Sequence, residues 1–140
     1  AGREQGLVEY CQPGRGFDVG ASGGRYYGVC SVNLEPDFLD AYNVGRQLYT
    51  LRANVNSANS QISSKEAEIQ RVDEEIREKE AALIARETTT EQRILLLADL
   101  KDLSERTGTL AAEIEYLYDE RARYRVELEN YQAAIVDYGY

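Results

Sequence analysis

Cys11 and Cys30 are the only two thiols in this chain, and there is no histidine to work beside them. Without an imidazole, no nucleophile here can have a base of the Ser-His-Asp or Cys-His kind. Two thiols also make a poor zinc site, which wants four ligands. What remains is a pair of free thiols or a disulfide. A disulfide would close a loop of about 20 residues, stabilise the fold by roughly 3 kcal/mol on the chain-entropy account, and point to an oxidising compartment. Carboxylates are the other chemistry to weigh, since a pair suffices for glycoside hydrolysis. Asp73, Glu74 and Glu75 are flanked by Arg71, Arg77 and Lys79, the pattern of a solvated helix face. Asp18 is a single carboxylate where calcium needs several oxygens. Gly14-Arg15-Gly16 lacks the third glycine of a dinucleotide loop. The residues therefore point to no catalytic site, no metal and no cofactor.

Charge narrows the partners. Acidic residues outnumber basic ones by 25 to 16, a formal charge of −9. Such a chain cannot neutralise a phosphate backbone, so nucleic acid is excluded, and an anionic leaflet would repel it. The longest apolar run, Ile94-Leu95-Leu96-Leu97-Ala98, is too short to span a bilayer. The sequence opens on Ala1-Gly2-Arg3 without Met, which reads as a processed or truncated product.

The elements that would position these residues fall into two parts. Eight of the eleven glycines lie in residues 1–34. This Cys/Gly/Tyr-rich module reads as a short helix from Ala1 to Tyr10, stopped at Pro13-Gly14, then a β-hairpin. In the hairpin Phe17/Val19 and Tyr27/Val29 alternate on either side of a turn at Ala21–Gly24. Residues 35–140 read as an antiparallel coiled-coil hairpin: a helix over 36–86, a turn near 87–90, and a helix over 90–138. Pro36 and Asp37 suit a first helical turn. Ala41, Leu48, Val55, Ile62, Ile69, Ile76 and Leu83 recur every seven residues, with Val44, Leu51, Ala58, Lys65, Val72 and Lys79 three behind. Leu96, Leu103, Leu110, Leu117, Tyr124, Tyr131 and Tyr138 do the same in the second arm, interleaved by Leu100, Thr107, Ile114, Arg121, Leu128 and Ile135. These are the two apolar positions of a heptad. Each arm would be roughly 75 Å long. Thr88 and Glu91 form a capping box for the second helix. The fold class is thus mainly α: a long two-helix coiled-coil hairpin with a small disulfide-stapled N-terminal module.

Two groups of residues stand off the heptads. Phe38, Tyr42, Gly45 and Tyr49 form a second stripe at the start of the first long helix. With Tyr124, Tyr131 and Tyr138 returning to the same end, they mark a junction between module and shaft. At the turn, Leu83, Ile84, Ile94, Leu95 and Leu97 point around the whole circumference. A two-helix seam buries only part of such a set, so the surplus is a candidate interface.

Gly2-Arg3, Gly6-Leu7 and Tyr10-Cys11, then Gly16, Gly20, Tyr26 and Gly28-Val29-Cys30, then Glu35, Phe38, Ala41-Tyr42, Gly45-Arg46 and Leu48-Tyr49 resemble the DUF2799 family over about residues 1–55. These are bacterial envelope proteins of unknown function, often with lipoprotein-type signals. The resemblance implies a periplasmic or cell-envelope location, and a lipid anchor on an upstream segment would fit it. It implies no activity. The expectation is a non-enzymatic structural or adaptor protein that meets a protein partner, or a second copy, through its coiled-coil rod. One alternative is an efflux-adaptor-like hairpin docking on an envelope channel, because Arg93, Leu97 and Ser104 have the spacing of that docking motif. Another is a small-ligand binder at the Tyr-rich base.

Overall fold

A computed structural model describes residues 2–140, with side-chain environments described from Gly6 onward. Ala1, the first residue of the expected N-terminal helix, lies outside the described residues. The order of elements is α1 (Gly2–Tyr10), α2 (Pro13–Ala21), α3 (Glu35–Ile84) and α4 (Thr90–Asp137). The chain divides into two compact units. One takes in the residues up to Asn56 together with Ala122–Tyr140, and the other is Ser57–Arg121. The glycine-rich residues before 35 are therefore not compact alone: they share a core with the first turns of α3.

The expected β-hairpin is absent, and there is no strand among the described residues. Residues Pro13–Ala21 are helical instead, with Pro13 in the first turn, where its missing N–H costs nothing. The glycine pair read as a β-turn ends this helix. Gly24 N donates to Val19 O at 2.8 Å, Gly23 N donates to Gly20 O at 3.0 Å, and Gly23 has φ +80°. That double bond over a left-handed residue is a Schellman stop. The second expected strand fails for a different reason. The Cys30 N–H donates to the Tyr26 hydroxyl at 3.1 Å, so it is spent within its own loop.

In the first unit the buried residues are Cys11, Gly16, Gly20, Cys30, Phe38, Ala41, Gly45, Leu48, Leu51 and Ile135. The stretch before α3 opens that helix with Glu35 N donating to Ser31 O at 2.8 Å, and Glu35 and Asp37 occupy the first turn, where the helix dipole favours acids. Tyr131 Oη donates to Val44 O at 3.0 Å.

In the second unit Ala58, Ile62 and Val72 of α3 and Leu110, Ile114 and Leu117 of α4 are buried. Polar contacts join the same two helices: Lys79 to Asp99 at 3.3 Å, Glu68 to Arg106, and Lys65 to Glu113 at 2.6 Å. Tyr118 Oη donates to Glu66, and Arg121 Nη1 donates to Asn59 Oδ1 at 2.9 Å. Across the three ion pairs the α3 partner steps back as the α4 partner steps forward. The turn between them runs over residues 85–89. Its capping box is one residue later than the spacing at Thr88 suggests. Gln92 N donates to Thr89 Oγ1 at 3.1 Å and Thr89 N donates to Gln92 Oε1 at 2.9 Å. Thr88 instead turns its hydroxyl back to α3, donating to Ala82 O.

Candidate functional site

The disulfide alternative is the one the structure adopts. Cys11 and Cys30 are bonded, with Cα atoms 5.7 Å apart. The bridge lies against Phe38, which is fully buried, and Tyr10, Tyr26, Leu34 and Tyr42 pack around them. Phe38 has ring centroids of Tyr10 at 5.3 Å, Tyr26 at 5.1 Å and Tyr42 at 6.4 Å. Two of these rings are tethered through their hydroxyls. Tyr26 Oη donates to Glu35 Oε2 at 2.6 Å, and Tyr42 Oη donates to Gly24 O at 3.1 Å. Burial, followed by the bond to Glu35, raises the Tyr26 phenol above its ordinary pKa, since both disfavour the anion. Burial also raises Tyr131.

Gly45 sits where two backbones meet. A Cβ built on it would meet Phe17 O, Ala21 N and Gly20 C, all main-chain atoms of α2. From the other side, a Cβ on Gly20 would meet Tyr42 O and Arg46 N, and one on Gly16 would meet Phe38 O. Glycine permits this close approach because it has no side chain to exclude the neighbouring helix. Gly16 and Gly20 were missed as functional positions. Their i, i+4 spacing, which puts two residues on one helix face, is the signal that would have found them.

The other junction residues divide. Tyr49 is partly exposed, with the Arg46 guanidinium 5.7 Å from its ring centroid. Tyr124 and Tyr131 are half-buried. Tyr138 does not belong to the junction: it is 83% exposed. The reason is Gly139, with φ +91°. Tyr140 N donates to Ile135 O at 2.9 Å and Gly139 N donates to Val136 O at 3.0 Å, a second Schellman stop. The helix ends before the next heptad position can turn inward. Tyr140, which the periodicity does not mark, takes its place by stacking on Phe17 at 5.2 Å.

Around the turn, Leu83 is half-buried, while Ile84, Ile94, Leu95 and Leu97 are 56% to 82% exposed. Arg93 lies among them but faces inward. Its Nε donates to Leu83 O at 3.0 Å and its Nη2 to Ala85 O at 3.1 Å. A cation on the last carbonyls of a helix satisfies orphan acceptors and complements the dipole.

Among the described residues no group of three or more Cys, Asp or Glu is placed to hold a metal ion, and no helix is long and apolar enough to cross a membrane. Residues 1–47 match the model of DUF2799, a protein family of unknown function. The matched segment carries the disulfide, both short helices and the glycine contacts up to Gly45, and it stops before Leu48 and Tyr49. No curated protein and no solved structure matches the chain.

Proposed function

We propose that the chain is a non-enzymatic structural or adaptor protein of the periplasm or cell envelope, in which a DUF2799 segment is joined to an antiparallel coiled-coil hairpin that binds protein. The observation that carries this reading is the exposed aliphatic group at the turn: Ile84, Ile94, Leu95 and Leu97 lie within fourteen residues of sequence on a strongly charged chain. Apolar surface of that kind, left wet, marks an interaction site more often than chance decoration. The hairpin is supported by the seven-residue spacing of buried positions in both long helices and by the opposed order of their polar contacts. A disulfide supports the oxidising compartment.

Two sets of contacts favour this reading over its alternatives. An efflux-adaptor docking motif needs the Arg93 guanidinium outward, and here it caps α3. At the tyrosines, the hydroxyls of Tyr26, Tyr42 and Tyr131 already donate within the fold, which favours a structural role for them over ligand binding. The test is crosslinking capture from envelope extracts with wild type and the double variant Leu95→Glu, Leu97→Glu. A specific protein should be recovered by the wild type and lost from the variant, with both proteins giving the same helical circular dichroism. Equal recovery from both would remove the turn from the function.

A further inference from the structure

We infer that the surface at the turn is built to receive a second copy of this chain, an inference that rests on the interaction reading and names its partner. The first ground is shape. Ile94 and Leu97 are three apart on α4 and project on one side. On the other side of Leu96, Leu95 borders a hollow of about 440 Å³ formed with Ala82, Thr88, Gln92, Leu96 and Asp99. One surface thus carries both a projection and a recess. A two-fold interface requires that property, because the same patch must be complementary to itself.

The second ground is charge. The chain carries −9, so two copies repel over most approaches. Around the turn, however, Arg86 and Arg93 offset Glu87 and Glu91, and Asp99, which lines the hollow, is paired with Lys79 at 3.3 Å. This is a region where a like molecule meets no net Coulomb barrier, and the exposed Arg86 can face a glutamate of the other copy.

The third ground is area, which sets the strength. At their observed exposures the four aliphatic side chains leave on the order of 500 Å² of apolar surface, the size of a functional patch on a monomer. A stable interface buries about 800 Å² per partner. The pair should therefore be a weak, concentration-dependent dimer.

Sedimentation velocity of the full chain over a concentration series tests this. The wild type should pass from monomer to dimer, and Leu95→Glu with Leu97→Glu should raise the dissociation constant by roughly a hundredfold. A second measurement does not depend on charge insertion. The two cysteines of the chain are already bonded to each other, so Leu95→Cys adds a single reactive thiol. It should give a linked dimer under mild oxidation, whereas Ser64→Cys, exposed in the same unit, should not. A wild type that stays monomeric throughout, or equal crosslinking of the two cysteine variants, overturns the inference. If the monomer still captures an envelope protein that the glutamate variant loses, the second copy is wrong and the interaction reading survives. If capture is also unchanged, both fall.

Discussion

Replacing Gly45 by alanine sets two opposed effects against each other in one methyl group. In an open helix interior this change is favourable by about 0.5–1 kcal/mol, because glycine loses more backbone entropy on folding. Gly108 on α4 supplies the reference, since a Cβ there would meet nothing within 4 Å. At Gly45 the methyl would press on Phe17 O, Ala21 N and Gly20 C. Main-chain atoms cannot rotate aside as a flexible side chain does, so α2 must back away from α3. Overpacking of this sort costs about 1–3 kcal/mol, which outweighs the gain. Gly45→Ala should therefore destabilise the seating of α2 by about 1–2 kcal/mol, while Gly108→Ala stabilises its own unit. With two units a single unfolding curve is a poor reporter. Amide exchange resolved over residues 13–24 reads the local effect directly. Protection there should fall in Gly45→Ala and stay unchanged in Gly108→Ala. If exchange in α2 is as slow with alanine at 45 as with glycine, α2 is not seated on the α3 backbone and the account of these glycines is wrong.

Cys30→Ala removes a bridge spanning a sequence separation of 19, worth roughly 3 kcal/mol; proteases should reach α1 and α2 sooner, while most helical signal persists because α3 and α4 hold 50 and 48 residues. Collapse of the whole signal would show that the long helices depend on the bridge. Arg93→Ala should cost about 1 kcal/mol and speed amide exchange over residues 80–90 without touching the first unit; unchanged exchange there would mean that Arg93 does not hold the turn. Because the Tyr26 phenol is raised in the fold, its contribution is present below the ordinary tyrosine value near 10 and is lost as pH climbs through the raised one. Denaturation of the first unit should thus steepen in alkali and flatten in Tyr26→Phe, and identical alkaline profiles would count against it.

The long helices were legible because their signal repeats. Except for Phe38, every buried apolar residue of α3 and α4 falls on one of the seven-residue series, from Ala41 to Ile135, and a period sampled over many turns survives an odd Lys65 or Arg121. The glycine-rich start offered no such redundancy. Phe17 and Val19 alone cannot separate a period of two from a helix, and Gly23-Gly24 suits a hairpin turn as well as a helix stop. The decisive pair, Gly16 and Gly20, carries no side chain, so hydropathy patterns pass over it. Tyr138 failed for the opposite reason. The heptad was extended through a position that Gly139 had already closed, and a local backbone rule prevailed over a periodic one.

The same contrast explains why the family match and the proposed function bear on different parts of the molecule. Residues 1–47 hold the disulfide, the aromatic cluster and the glycine contacts, and each of these has a structural account: a loop closed, rings buried, two helices brought to touching distance. Ile84, Ile94, Leu95 and Leu97 have no such account, and they lie outside the matched segment. Burying any one of them would stabilise the fold by about 1.5–3 kcal/mol, and nothing in their own unit does so. A chain that caps its turn with Thr89, Gln92 and Arg93 has the helix ends it needs without four aliphatic side chains in water. On the proposed reading, what those residues stabilise lies in a complex. The dependence of association on Leu95 and Leu97 can therefore be measured independently of the DUF2799 segment, whose disulfide and glycines should alter stability and leave the self-affinity of the turn where it was.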